Sequence, residues 1–160
     1  MRVAIGADHA GYHLKSKLIE ELDRLGHEVS DVGEHDQNPS DYPDSAEAVA
    51  LAVKEGRADR GIVVCGSGVG ASVAANKVPG IRAGVCHDAY SARQGVEHDD
   101  MNVLSLGARV VDAVQASELI RAFLNARYTA APRHRRRLKK IAEIEQRYRQ
   151  QALNAKGGMP

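Results

Sequence analysis

The stretch GIVVCGSGVGASVAANK, Gly61 to Lys77, places a cysteine where an apolar run meets a glycine-rich loop. The segment 61–65 reads as a strand. Its unbroken apolar character fits burial on both faces, as in a parallel sheet covered by helices. Residues 71–77 read as a helix. Glycines let a backbone approach a ligand closely and turn its N–H groups inward. The following helix adds the positive end of its dipole. The loop is therefore suited to negative charge, and Cys65 stands at its mouth. Thiolates are stabilised in such places, which makes Cys65 a candidate base or nucleophile. The alternative is a buried structural cysteine beside a loop shaped by packing.

The same alternation extends in both directions. RVAIGA (2–7), HEVSDV (27–32), IRAGVC (81–86) and NVLSLG (102–107) read as further strands. Between them, Leu14, Leu18, Leu22 and Leu25 recur at helical spacing, as do Ala46, Val49, Ala50 and Val53. Helices are also expected near 89–97 and over 112–128. Gly26 is a C-terminal stop, and Pro43 suits the first turn of its helix. Strand and helix alternate five times, which predicts an α/β domain with a parallel sheet and right-handed crossovers. Ligands then bind outside the carboxyl ends of the strands. After Pro132 a last helix runs to about residue 150, beyond the sheet pattern. Its stripe of Leu138, Ile141, Ile144 and Tyr148 needs a surface to cover, which a partner subunit can supply. One domain is expected over 1–150, with 151–160 as a frayed tail.

Composition sets bounds on function. The chain has 160 residues, 43% hydrophobic and 27% charged, with one Phe, five Tyr and no Trp. The core is thus built from Val, Ile, Leu and Ala. Two cysteines do not make a disulfide framework. MRVAIGADHAG lacks the features of a secretory signal, and no apolar run approaches membrane-spanning length. The expected setting is reducing and cytoplasmic. Net charge is +1, so whole-molecule electrostatics select no anionic partner.

Three glycine-loop chemistries are weakened by spacing. A dinucleotide fingerprint needs G-x-G-x-x-G after the first strand, but here Gly66, Gly68 and Gly70 follow the third. A Walker loop ends in G-K-[ST], whereas Gly70 precedes Ala71 and Ser72. A thiol phosphatase needs arginine six residues past its cysteine, and that position is Ala71.

The other strand ends carry polar residues. Asp8 and His9 follow the first strand, where Asp8 is either a helix cap or a ligand contact. His98, Asp99 and Asp100 precede the fifth strand, and a histidine there is a candidate acid–base group or an ordinary surface residue. Arg109 follows the fifth strand. Cys86, in an apolar strand, reads as inert. Arg133 and Arg137 are four residues apart, so a helix presents both on one face. Paired guanidinium groups clamp phosphate well. Within RHRRRLKK, 133–140, solvation or RNA contact fits equally.

Taken together, GADHAG, SDYP, CGSGVGASVAANKVPGIRA, EHDDMNVLSLGARVV and RHRRR, in this order and spacing, resemble the type B ribose-5-phosphate isomerases and their relatives acting on other sugar phosphates. The resemblance covers residues 2 to about 149. It implies a Rossmann-like three-layer α/β/α sandwich with a five-stranded parallel sheet and an extra C-terminal helix. It further implies a homodimer or homotetramer with active sites at the interface, a small-molecule sugar phosphate as substrate, a place in pentose phosphate metabolism, and no cofactor or metal.

The implied reaction interconverts D-ribose 5-phosphate and D-ribulose 5-phosphate through an enediolate. By resemblance Cys65 moves the proton between C2 and C1; relatives lacking this cysteine carry glutamate at the position of Ala71. The backbone of Gly66, Ser67, Gly68, Val69 and Gly70 would stabilise the enediolate, with the Ser67 hydroxyl relaying a proton between O1 and O2. His98 would open the furanose ring, with Asp8 accepting from sugar hydroxyls. His9, Arg133 and Arg137 would hold the phosphate, and Arg109 and Tyr42 would complete the pocket. One departure stands out. The family usually reads His-Asn where this chain reads His98-Asp99. Asn can donate to a sugar oxygen, whereas an ionised Asp only accepts. The substrate could therefore be another aldose phosphate, a tetrose or hexose phosphate.

Two readings from other classes are weaker. A module using the basic helix on nucleic acid leaves Cys65, Ser67 and His98 without a role and lacks aromatics for stacking. A catalytically dead sensor would have lost a catalytic position, and none is missing.

Overall fold

The computed structural model describes residues 1–156. Five strands, β1 (Arg2–Ala7), β2 (Glu28–Asp31), β3 (Arg60–Cys65), β4 (Ala83–Val85) and β5 (Val103–Gly107), form one sheet in the order β2-β1-β3-β5-β4. Every pairing is parallel. The helices are α1 (Tyr12–Arg24), α2 (Tyr42–Lys54), α3 (Val69–Ala75), α4 (Ala89–Asp99), α5 (Ala113–Asn125) and α6 (Pro132–Lys156). The expected three-layer α/β/α architecture is borne out.

Alternation along each strand sorts the core into two layers. Ile62 and Val64 of β3 pack with Leu14, Leu18 and Leu22 of α1, Val96 of α4 and Phe123 of α5. Val63 and Cys65 face the other way, among Ala46, Val49 and Ala50 of α2 and Ala71 and Ala75 of α3. Cys65 therefore belongs to the α2–α3 side. Small alanines on that side let the helices lie close to the sheet. Asp88 and Asp112 begin α4 and α5, each accepting a backbone N–H three residues on, from Ser91 at 2.7 Å and Gln115 at 2.8 Å.

Some boundaries differ from the sequence reading. β4 is only three residues long: Ile81 and Arg82 lie in the irregular stretch between the turn at 79–80 and the strand. Cys86 lies just past its end, still buried. The last helix does not end near 150. It continues through 151–156, where QALNAK holds no glycine or proline to stop it. The rest of the expected tail, 157–160, lies outside the described residues. The stripe Ile141, Ile144 and Tyr148 is largely exposed on α6.

Among the described residues no helix is long and apolar enough to cross a membrane.

Candidate active site

The loop after β3 is fixed from several sides. Ala108 donates to the Cys65 carbonyl at 2.8 Å and Arg109 to the Gly66 carbonyl at 3.0 Å. Gly68 takes φ +81°, a left-handed conformation that glycine adopts without strain. That turn aims its N–H at Cys65 Sγ, 3.2 Å away. The Gly68 carbonyl accepts from the buried hydroxyl of Ser105 at 2.6 Å. Ser105 was missed by sequence reasoning. Its signal was a single hydroxyl inside VLSLG, which burial obliges to find a partner.

A cleft of about 340 Å³ opens over this loop, lined by Asp8, His9, Tyr42, Cys65, Gly66, Ser67, Gly70 and Arg109, with Ala10 and Val110. A larger groove between α6 and the start of β4 holds none of the expected catalytic residues. Cys65 is buried to 4% exposure and lies at the cleft floor. The Ser67 hydroxyl accepts from the Val69 N–H at 3.3 Å. Gly68 and Val69 thus direct their N–H groups to the Cys65 sulfur and the Ser67 oxygen.

Asp8 does not cap α1, whose N-cap is Gly11 with no side-chain hydrogen bond, and sits instead in the turn ahead of it. Its Oδ1 accepts from the Gly11 N–H at 3.0 Å ahead of α1, and the same buried carboxylate lines the cleft. His9 is held by Ser40: its N–H donates to Ser40 Oγ at 3.0 Å, and its Nδ1 lies 3.1 Å from the Ser40 carbonyl. Nε2 makes no hydrogen bond among the described residues. The loop that leads to Ser40 is itself held by buried Lys15, which reaches both oxygens of Asp31 at 2.8 Å and donates to the Glu34 carbonyl. Neither Ser40 nor Lys15 was singled out from sequence.

The remaining expected residues form a second group. His98 lies in the last turn of α4, and its ring stacks on His134 of α6 with centroids 4.1 Å apart. Gln94 Nε2 sits 2.8 Å from His98 Nδ1. With the amide donating, Nδ1 is an acceptor and Nε2 carries the proton. Asp99 ends α4, and Arg133 and Arg137 share a face of α6. None of these four lines the cleft.

The reason is topological. α4 returns antiparallel to the strands, so its C-terminal turn leads through residues 100–102 into the first residue of β5. Cys65 pairs with Gly107 at the far end of that strand. The two groups are thus separated by the length of the sheet, roughly 13 Å for a strand of this size.

Cys86 stays outside both groups. Burial, with Asp88 as a lesser cause, pushes its thiol up to about 11. Among the described residues no set of three or more His, Cys, Asp or Glu side chains is placed to hold a metal ion.

The sequence and fold have close counterparts. A sequence model of the family described as Ribose/Galactose Isomerase matches residues 3–141. Ribose-5-phosphate isomerase B of Escherichia coli is 46% identical over 146 residues, covering 91% of this chain and 97% of that protein. A D-erythrulose-4-phosphate isomerase of Pectobacterium atrosepticum is 42% identical over 130 residues, 80% of this chain and 85% of that one. The structure of ribose-5-phosphate isomerase B from Clostridium thermocellum superposes with a TM-score of 0.90 at 49% identity, covering 92% of this chain and 99% of that one. The family expected from the motifs is therefore the right one: the chain belongs to the ribose/galactose isomerases, the group that includes the type B ribose-5-phosphate isomerases.

Proposed function

We propose that the protein interconverts D-ribose 5-phosphate and D-ribulose 5-phosphate, with each active site built from two copies of the chain. The observation that carries this reading is the Cys65 thiol, set on a cleft floor with the Gly68 N–H directed at its sulfur.

The residues divide the chemistry among them. Cys65 Sγ removes the proton from C2 of the open-chain aldose and returns it to C1. The charge that develops on O1 and O2 meets the N–H groups of the 66–70 loop. Ser67 Oγ shuttles a proton between the two oxygens. Both bonding changes occur within one substrate molecule, so no electron acceptor is consumed.

Ring opening calls for an acid at the furanose oxygen. His98 Nε2–H supplies it, from the second copy, and Asp8 accepts from a sugar hydroxyl. His9 from the cleft and Arg133 and Arg137 from the second copy hold the phosphate, while Arg109 and Tyr42 border the sugar. A homodimer is the smallest assembly that brings the two groups together. A homotetramer of such dimers satisfies the same requirement.

The test is turnover of purified protein on D-ribose 5-phosphate, read as appearance of D-ribulose 5-phosphate. Folded protein without turnover would refute the proposed substrate.

A second reading rests on Asp99, which stands beside His98, and on the similarity to a D-erythrulose-4-phosphate isomerase. An ionised Asp99 next to a developing enediolate is unfavourable unless a hydroxyl or an arginine faces it. Under this reading the substrate is a tetrose or hexose phosphate. Asp99→Asn would then raise turnover of ribose 5-phosphate, and unchanged turnover would refute it.

A further inference from the structure

His134 lies inside the second group, 2% exposed, and has no part in the chemistry above. Its hydrogen bonds run in one direction. The Thr129 hydroxyl gives its single proton to the Glu97 carbonyl at 2.9 Å. Its oxygen then accepts from His134 Nδ1, 2.7 Å away. With the proton on Nδ1, His134 Nε2 is a lone-pair acceptor, and Arg133 Nε donates to it at 2.9 Å. One face of the same ring packs on His98, tilted by 32°.

The ring is suited to stay neutral. Burial holds its pKa below the ordinary histidine value, the nearby His98, Arg133 and Arg137 push the same way, and Asp99 opposes them. A proton on Nε2 would also remove the acceptor that Arg133 uses.

We infer that His134 is a positioning residue that aims the Arg133 guanidinium through Nε2 and sets the plane of His98 through its ring face. The inference rests on the proposed roles of Arg133 as a phosphate clamp and His98 as the ring-opening acid. It gives those roles a common frame. In ribofuranose 5-phosphate the ring oxygen is on C4, next to the carbon that bears the phosphate. The span between ring oxygen and phosphate is therefore short and nearly constant. A single rigid side chain that fixes both the acid and the clamp matches that span.

Two substitutions separate the two functions. His134→Phe keeps a flat ring under His98 and removes the acceptor for Arg133. It should raise KM for ribose 5-phosphate and the inhibition constant of inorganic phosphate about tenfold, the size of one misdirected charged hydrogen bond, with kcat within about twofold of wild type. His134→Gln places an amide oxygen within reach of Arg133 Nε and removes the ring. It should leave the phosphate inhibition constant near wild type and lower kcat about tenfold. Thr129→Val removes the anchor of His134 without touching either partner. It should move both parameters in the same directions by smaller factors. It carries the test if melting shows that His134→Phe does not fold.

Equal losses in both His134 variants, or unchanged constants, would overturn the inference. Arg133→Ala and His98→Asn distinguish that outcome from failure of the underlying reading. If Arg133→Ala leaves phosphate inhibition unchanged, or His98→Asn leaves kcat unchanged, the assigned roles themselves are wrong.

Discussion

Cys65 ends β3 at the carboxyl edge of the sheet, whereas His98 sits in the last turn of α4 at the amino edge. Under the proposed mechanism, a site using both draws them from different copies of the chain. Cys65→Ala and His98→Asn should each be inactive alone. Mixed after unfolding and refolding, they should recover about a quarter of wild-type turnover, because half of random dimers are mixed and each carries one intact site. No recovery on mixing would place both residues in one chain's site.

The thiol itself is the sharpest target. Cys65→Ser keeps the volume and the Gly68 contact but replaces sulfur with a far weaker acid. Turnover should fall about 10²- to 10⁴-fold, the usual worth of a proton-transfer group, while thermal stability changes little. Retained turnover would remove Cys65 from the proton transfer.

The loop depends on a neighbour in β5. A Cβ on Gly107 would stand 2.7 Å from the Ser67 carbonyl carbon and oxygen, so Gly107→Ala must push the loop off its seat. Stability should fall by about 1–3 kcal/mol, as for other overpacked sites. Steady-state kinetics should show kcat reduced about tenfold. An unchanged kcat would mean that the Ser67 position is not critical.

Away from the site, Glu21 joins α1 to α5. Its carboxylate meets Arg24, the Ser117 hydroxyl at 2.9 Å and Arg121. These contacts, led by Arg24 and then Ser117, lower it from 4.5 to about 2. The folded state binds this proton less readily than the unfolded state. Its stabilisation is therefore complete above about pH 4.5 and is lost as pH falls towards 2. Melting curves of wild type and Glu21→Gln should differ at pH 6 and converge over that window. A constant difference would show that Glu21 acts by packing alone.

Much of the cleft was legible because its signals are local. GIVVCGSGVG announces a strand, a glycine turn and a helix start within ten residues, and GADHAG does the same for Asp8 and His9. The supporting residues were hidden. Ser105, Gln94, Thr129 and His134 act through partners 37, 4, 32 and 5 positions away, respectively, to Gly68, His98, Glu97 and Thr129. Of these, Ser105 and His134 fell inside quoted motifs, where Ser105 read as part of a strand and His134 as part of a basic run.

The sequence by itself determined the alternation of strand and helix, the parallel sheet and the glycine turn after β3, because hydrophobic period and glycine placement act on neighbouring residues. It also carried the motifs that identify the family. Only the tertiary structure decided the strand order β2-β1-β3-β5-β4, the face that Cys65 takes, and the division of the expected site into two groups at opposite ends of the sheet. These follow from which elements pack together and in which direction each helix returns. That is settled by burial across the whole core, which no local pattern encodes.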